Sequence, residues 1–396
     1  MALPQEYIGR EQAFIKHTIL KTYLERLFMI IGQSELVINY VDCFAGPWSD
    51  ENEELRDTSI GISINQMKKC VATLKKEPFK RSVKFRALFI EKDKKAFARL
   101  AEFLDKHNDP DVSVTCRQGD YTTHIPEIVS WSESHFTFFF VDPKGWKRII
   151  GPSTLKPLLE RPKTEFLINI MYDFVNRAAN ITKHDADIEE LLGSPITYTG
   201  SESVQQRQML LLSHYRAGVN DIFKGRTAFV PIERPGEKRV LYFLVYLTRH
   251  AKGIIVFKTE AEKMIILQRE TQAQVRLRNQ INTRSTMDMF GESSAVAEVN
   301  FCEAEGVRRD AKEYLLKQLT STPLLIDNEC WARFLQETNL YPRDLQDAIK
   351  ELHDLGLINN LDADISKRRS QFVRPNWPQK SERWTLNQQQ IRAIQC

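Results

Sequence analysis

Apolar, β-branched runs alternate with amphipathic helical patterns over the first two thirds of the chain, and three short helical patterns followed by two strand-like runs occupy the last quarter. That order predicts an α/β protein with a doubly wound, mostly parallel sheet covered on both faces, followed by a small α+β domain. The length agrees, since 396 residues suit one domain of about 250 residues carrying a smaller appendage.

Phe14–Ile31 places Ile15, Ile19, Leu20, Tyr23, Leu24 and Leu27 on one stripe, the signature of an amphipathic helix leading into the first strand. Leu36–Phe44 (LVINYVDCF) is apolar and β-branched and stops at Ala45, Gly46 and Pro47, a strand entering a tight loop. Phe85–Ile90, Val112–Cys116, Phe136–Val141 and Phe166–Met171 repeat the strand pattern, with helical patterns such as Ile60–Leu74 and Lys94–His107 between them. Residues 176–219 read as a polar helical insertion. Thr227–Ile232 and Val240–Thr248 read as a hairpin about Pro235 and Gly236, so that five parallel strands precede an antiparallel last one. In Lys252–Gln274 the run IIVF has strand character, but the longer EAEKMIILQRETQAQV favours a helix. The expected boundaries are 1–275 for the first domain, 276–305 for a polar linker or mobile loop, and 306–396 for the second domain.

In the second domain Asp310–Leu319, Asn328–Gln336 and Pro342–Leu355 are helical patterns, the last started by Pro342 and stopped by Gly356. LINN and SQFVRP read as strands flanking a polar turn. The arrangement resembles a winged helix, with Pro342–Leu355 as recognition helix and Asp362–Arg369 as wing. The net charge of +4 does not mark the whole chain as a nucleic-acid binder. Beyond Leu361, however, seven Lys and Arg residues face only Asp362, Asp364 and Glu382, so Lys367, Arg368, Arg369 and Arg374 are candidates for phosphate contacts. A small helical cap serving protein contacts is the alternative.

Several classes are excluded. The longest apolar runs fall far short of the roughly 20 residues that span a bilayer, and Met1–Arg10 lacks the basic start and apolar stretch of a secretory signal. A cytoplasmic protein without a membrane partner is expected. Cys43, Cys70, Cys116, Cys302, Cys330 and Cys396 form no C-x-x-C pair and have no histidine at ligand spacing, so no metal is expected.

An open α/β sheet binds ligands at the carboxyl ends of its strands, and here four such ends carry polar residues. Asp42, with Phe44, Ala45 and Gly46, ends the first strand, where a glycine allows close backbone approach to a ligand. Glu91 follows the second strand as an acceptor for a ribose diol. Asp120 follows the third, placed for an adenine amino group, with Tyr121 beside it. Asp142, Pro143, Lys144, Gly145 and Trp146 follow the fourth, where an acceptor would be engaged. Taken singly, an acid at a strand end can equally cap the next helix; the ordered set is the informative feature.

The segments VDCFAGPW, FIEKD and VDPKGW resemble the VDxFAGP, F-x-E-K-D and D-P motifs of the three-Cys-motif partner family, which is similar to class I, Rossmann-like S-adenosylmethionine-dependent methyltransferases. The resemblance covers about residues 14 to 260. It implies S-adenosylmethionine as cofactor, held by Asp42, Phe44, Ala45, Gly46, Glu91, Asp120 and Tyr121, with Asp142, Pro143 and Trp146 at the acceptor. It also implies association with a radical-SAM protein bearing three cysteines. Together with the basic tail it leads to the expectation of a methyltransferase acting on nucleic acid, DNA in preference to RNA. The alternative is a catalytically silent scaffold that presents nucleic acid to that radical-SAM partner. Lys144 stands where amino-methyltransferases carry the second proline of D-P-P-Y, and Pro47 where many methyltransferases have glycine or serine.

Overall fold

Strands form where β-branched and aromatic residues run without interruption, because both faces of each are buried beneath helices. In the computed structural model, which describes residues 7–46, 58–76, 78–145, 148–178, 184–237, 239–284, 307–375 and 381–387, the chain divides after Arg249 into two compact units.

The first unit holds a seven-stranded sheet. Its strands are β1 (Val37–Asp42), β2 (Lys84–Glu91), β3 (Val112–Gln118), β4 (Phe136–Val141), β5 (Thr164–Ile170), β6 (Arg226–Glu233) and β7 (Val240–Thr248), in the order β3-β2-β1-β4-β5-β7-β6. The first five are parallel, while β7 runs antiparallel to both β5 and β6. Consecutive connections run outward in one direction from β1 to β3 and in the other from β4 onward. The reversal falls between β1 and β4, and this switch point opens a crevice at their carboxyl ends.

Helices α1 (Glu11–Ile31) and α2 (Ser59–Leu74) pack together, and α1 lays Phe28 against Phe85 and Tyr23 against Phe138, with ring centroids 4.8 and 5.9 Å apart. Alternate residues of the same strands, Val41, Leu88, Phe139 and Ile168, face the other way. They share one core with Ile125 and Ile128 of α4 (Tyr121–Ser132), Leu155 and Leu158 of α5 (Pro152–Leu159), and Leu211 and Tyr215 of α8 (Val204–Phe223). The buried Glu165 carboxylate accepts hydrogen bonds from Tyr23 (2.9 Å), Tyr246 (2.7 Å) and Thr248 (2.6 Å), which fixes α1 to β5 and β7 without leaving a bare charge. The expected insertion begins inside α6 (Tyr172–Ala178) and holds α7 (Asp185–Leu192) and most of α8, the last begun by a Ser203/Gln206 capping box. Helix α3 (Lys94–Asp105) is capped by Asp93, whose Oδ1 accepts the Lys95 and Ala96 N–H groups at 2.9 Å.

The second unit begins with α9, a single helix over Ala251–Arg284. The IIVF run is therefore helical, and the expected boundary at 275 falls inside a helix that groups with the C-terminal part. The remainder of the expected linker, from 285 on, lies outside the described residues up to 306. After a helix at 307–318 (α10) come β8 (Leu324–Ile326), α11 (Asn328–Thr338), α12 (Pro342–Asp354), β9 (Ile358–Asn360) and β10 (Glu382–Leu386). The three strands form an antiparallel sheet in the order β8-β10-β9. This helix–strand–helix–helix–strand–strand succession has winged-helix topology, with one correction to the expected elements. SQFVRP is not a strand: Gln371 has φ of 54°, and the Val373 backbone pairs in both directions with the Gln346 side chain at 2.8 Å instead of with a neighbouring strand. The partner of β9 is β10.

Candidate functional site

Four strand ends meet at the carboxyl edge of the large sheet, and the residues there are held by local backbone chemistry. Asp42 is fully buried at the end of β1. Its Oδ1 accepts the Phe44 N–H (3.1 Å) and its Oδ2 the Ser59 hydroxyl (2.7 Å). Burial pushes its carboxyl up from 3.8 to about 7; the Ser59 and Phe44 hydrogen bonds and Lys16 oppose that rise, and Asp142 adds to it. A buried acid held near neutrality is a group whose charge responds to what is placed beside it.

Glu91 ends β2 with its backbone carbonyl taking the Gly119 N–H at 2.9 Å and its Oε1 taking the Asp93 N–H at 2.6 Å. Its Oε2 has no hydrogen-bond partner among the described residues. That oxygen lies over Gly46, where an added Cβ would collide with it and come within 3.0 Å of the Glu91 carboxyl carbon. A side chain at Gly46 would thus displace the Glu91 carboxylate from its place, while Ala45 beside it is fully buried with its N–H bonded to the Ile90 carbonyl at 2.8 Å.

Asp120 caps α4. Its Oδ1 accepts the Thr122 N–H (3.1 Å) and hydroxyl (2.9 Å), and its Oδ2 lies 3.1 Å from Lys92. Partial burial works to raise its pKa, but the Thr122 bonds and Lys92 outweigh it and hold the carboxyl below its ordinary value. The preceding Gly119 has φ of +140°, a conformation that favours glycine. Tyr121 is buried in the core; its ring packs edge-on against the half-buried Phe44, with centroids 4.9 Å apart, and its hydroxyl donates to the Ile149 carbonyl. It packs under the crevice wall and leaves Phe44 nearer the surface.

Asp142 follows β4. Its Oδ1 accepts from the Asn169 amide at 2.6 Å and its Oδ2 pairs with Lys16 at 2.5 Å. Pro143 behind it is buried and Lys144 exposed; Trp146 lies outside the described residues. Two members of this group escaped sequence reasoning. Asn169 interrupts the apolar run FLINIM, and that polar intrusion was a readable signal; its Oδ1 is buried without a partner among the described residues. Lys16 sits on α1, 126 residues from Asp142, and nothing local in its helix announces the pairing.

The proposed phosphate contacts of the second unit divide. Arg368 is mostly buried and forks onto Glu382, with Nη1 2.9 Å from Oε2 and Nη2 bonded to Oε1, while Nη1 also donates to the Phe372 carbonyl at 2.7 Å. It braces the wing and is removed from the phosphate set. Lys367, Arg369 and Arg374 are exposed. The N-terminus of α12 is engaged by α9, since the Arg343 N–H donates to Glu262 at 3.1 Å and Lys258 holds Asn339 at 2.9 and 2.7 Å. On α12 Asp347 pairs with Arg343 (3.7 Å) and Asp354 with Lys350, while Glu351 pairs with Lys312 of α10 (2.7 Å), a charge pattern that matches a major groove poorly. Among the described residues no cluster of His, Cys, Asp or Glu could hold a metal ion, and no helix is long and apolar enough to cross a membrane.

Five parallel strands ordered 3-2-1-4-5, continued by an antiparallel β7 between β5 and β6, distinguish one fold among doubly wound sheets. The first unit has a class I methyltransferase-like fold. Among solved structures, human methyltransferase-like protein 13 in complex with SAH aligns with a TM-score of 0.32 and 14% identity, covering 71% of this chain and 98% of that one. Loganic acid methyltransferase with SAH aligns at a TM-score of 0.28 and 9% identity, covering 67% and 88%. Scores this low carry no argument, and the methyltransferase-like assignment rests on strand order. No family model and no curated protein matches the chain, so the three-Cys-motif partner resemblance stands on its motif residues alone.

Proposed function

We propose that this chain is an S-adenosylmethionine-dependent methyltransferase acting on nucleic acid. The observation that carries the reading is the convergence, at one sheet edge, of Glu91 with an available Oε2 over Gly46, the buried Asp42, and Asp142 held by Asn169. These residues fit the cofactor's chemistry. A carboxylate oxygen with open acceptor sites suits a ribose diol, the missing Cβ of Gly46 lets that carboxylate lie against the loop after β1, and an acid poised near neutrality suits a cationic ligand. Asp120 and Phe44 border the same crevice.

When bound, S-adenosylmethionine supplies a methyl group on a positively charged sulfur. The protein's share is then orientation and proton handling. Glu91 holds the cofactor, Asp42 acts from beneath it through its charge and the Phe44 backbone that it fixes, and Asp142 accepts a hydrogen bond from the acceptor's N–H or O–H and takes up the proton lost on transfer. Lys16 yields its place on Asp142 to the acceptor. Lys367, Arg369 and Arg374 support a polyanionic acceptor. In an assay of labelled methyl transfer to DNA and RNA, Asp142→Ala is expected to lower the rate by about 10²-fold or more, with cofactor affinity within a few fold of wild type. Full activity in that variant refutes the assignment.

One observation favours a second reading. Lys16 and Asn169 engage both oxygens of Asp142, an arrangement suited to a catalytically silent scaffold that presents nucleic acid to a radical-SAM protein. Such a scaffold releases no S-adenosylhomocysteine with any acceptor, whereas the enzyme must.

A further inference from the structure

Beyond Asp142 along the same edge, the chain after β5 and the turn joining β6 to β7 come together, because the antiparallel β7 begins where β5 ends. The first residues past β5 are Met171, Tyr172 and Asp173. Asp173 is largely buried and gathers three guanidinium groups: Arg239 on Oδ1, Arg234 3.6 Å from Oδ2, and Arg177 3.6 Å from Oδ2. One carboxylate balances a single positive charge, and Glu237, 3.9 Å from Arg234, partly offsets another. Arg177 and Arg239 alone, set against the single Asp173 carboxylate, leave an excess of positive charge.

Beside it lie polar atoms that the protein itself does not satisfy. The hydroxyls of Tyr172 and Tyr198 and the Nε–H of Arg207 are buried without a hydrogen-bond partner among the described residues. They belong together: the Arg207 guanidinium lies 5.5 Å from the Tyr198 ring centre, and the Tyr172 hydroxyl is within electrostatic reach of Tyr198, of Arg207 and of the paired Asp173 and Arg239. Burial pushes the Tyr172 hydroxyl up to about 12 and also raises that of Tyr198, so both keep their protons as donors at neutral pH. A buried donor left unpaired forfeits the hydrogen bond that it makes to water in the unfolded chain. Two O–H donors, one guanidinium edge and a net positive charge at one place match the oxygens of an anion.

We infer that Tyr172, Tyr198, Arg207 and Arg239 form a cradle for a backbone phosphate of the acceptor strand. The inference rests on the nucleic-acid reading above and extends it to a defined part of the chain: the insertion contributes Tyr198 and Arg207, which gives its helices a role in holding the acceptor. Phe174, 44% exposed with the Arg177 guanidinium 4.7 Å over its ring, supplies an aromatic surface next to the cradle of the kind on which an unpaired base stacks. Asp173 holds its arginines in place before the ligand arrives and so reduces the ordering cost of binding.

The test is fluorescence anisotropy of the full chain with a labelled single-stranded oligonucleotide over a salt series, set beside titrations with inorganic phosphate and with S-adenosylmethionine. Tyr198→Phe removes only an unpaired hydroxyl, so its melting temperature should be unchanged or raised, while oligonucleotide affinity falls several-fold. Arg207→Ala should weaken it about tenfold and flatten the slope of log K against log salt by about 0.7. Cofactor affinity should be unchanged in both, which separates failure of the cradle from failure of the cofactor site. Inorganic phosphate should compete with the oligonucleotide in wild type and not in Arg207→Ala. The inference is overturned if the wild-type chain binds no oligonucleotide. It is equally overturned if both folded variants bind as wild type, or if only replacement of Lys367, Arg369 and Arg374 weakens binding.

Discussion

Asp42 links the site to stability. Its carboxyl titrates near 7 in the folded chain, raised by burial from 3.8. Between those values the folded state holds a proton that the unfolded state has released, so the stability of the fold falls as pH rises from about 4 to about 7. Asp42→Asn cannot ionise. Its thermal stability should therefore gain on wild type progressively across that window, with the gain absent at the acid end and level above about pH 7. Parallel melting curves from pH 4 to 8 decide this, and a difference independent of pH would remove the buried acid from the explanation. Residues of this kind were partly legible in sequence. Asp42, Glu91 and Asp142 stood out because polar groups ending apolar strands are conspicuous, and all three lie at the expected edge. Asp120 stood out for the same reason, yet its oxygens are engaged as a helix cap. Lys16 was not legible because its partner is brought to it only by the packing of α1 across the sheet.

At the scale of elements, the strands and helices of the first unit read clearly because hydrophobic period and capping residues agree, as at Asp93 before α3 and Ser203 before α8. The wing read less well. Its cations look alike in sequence, but Arg368 is tied to Glu382 while Arg369 is exposed. Arg368→Ala should destabilise the second unit by about 1–3 kcal/mol, through loss of charge-assisted hydrogen bonds and an acid left unpaired. Arg369→Ala should change stability by less than about 0.5 kcal/mol. Chemical denaturation of the two variants compares them, and equal stability would mean that the brace contributes nothing. SQFVRP was misread because Phe372 and Val373 have strand-like composition but are buried against Gln346 as irregular chain.

For the whole molecule, the division at Arg249 places α9 with the winged-helix elements. Ile254, Phe257, Ala261 and Met264 of α9 are buried, and the helix packs on α11 and α12. A fragment spanning 250–396 should melt cooperatively. One spanning 306–396 lacks that cover and should melt lower by more than about 10 °C, because a unit of this size shifts about 4–8 °C per kcal/mol. Equal melting of the two fragments by circular dichroism would show that α9 is dispensable to the unit. The boundary was not legible because a polar, Ser- and Thr-rich stretch after residue 280 suggests a linker, whereas the division comes earlier, at the short link between β7 and α9.

The central claim is that the carboxyl edge of the first unit binds S-adenosylmethionine through Glu91. Calorimetric titration of the full chain with S-adenosylmethionine at pH 8, where Asp42 is ionised, tests it most directly. Saturable binding at one site per chain is expected, and Glu91→Ala should weaken it by about 1–3 kcal/mol. No binding to the folded wild type, or equal affinity in a folded Glu91→Ala variant, would contradict it.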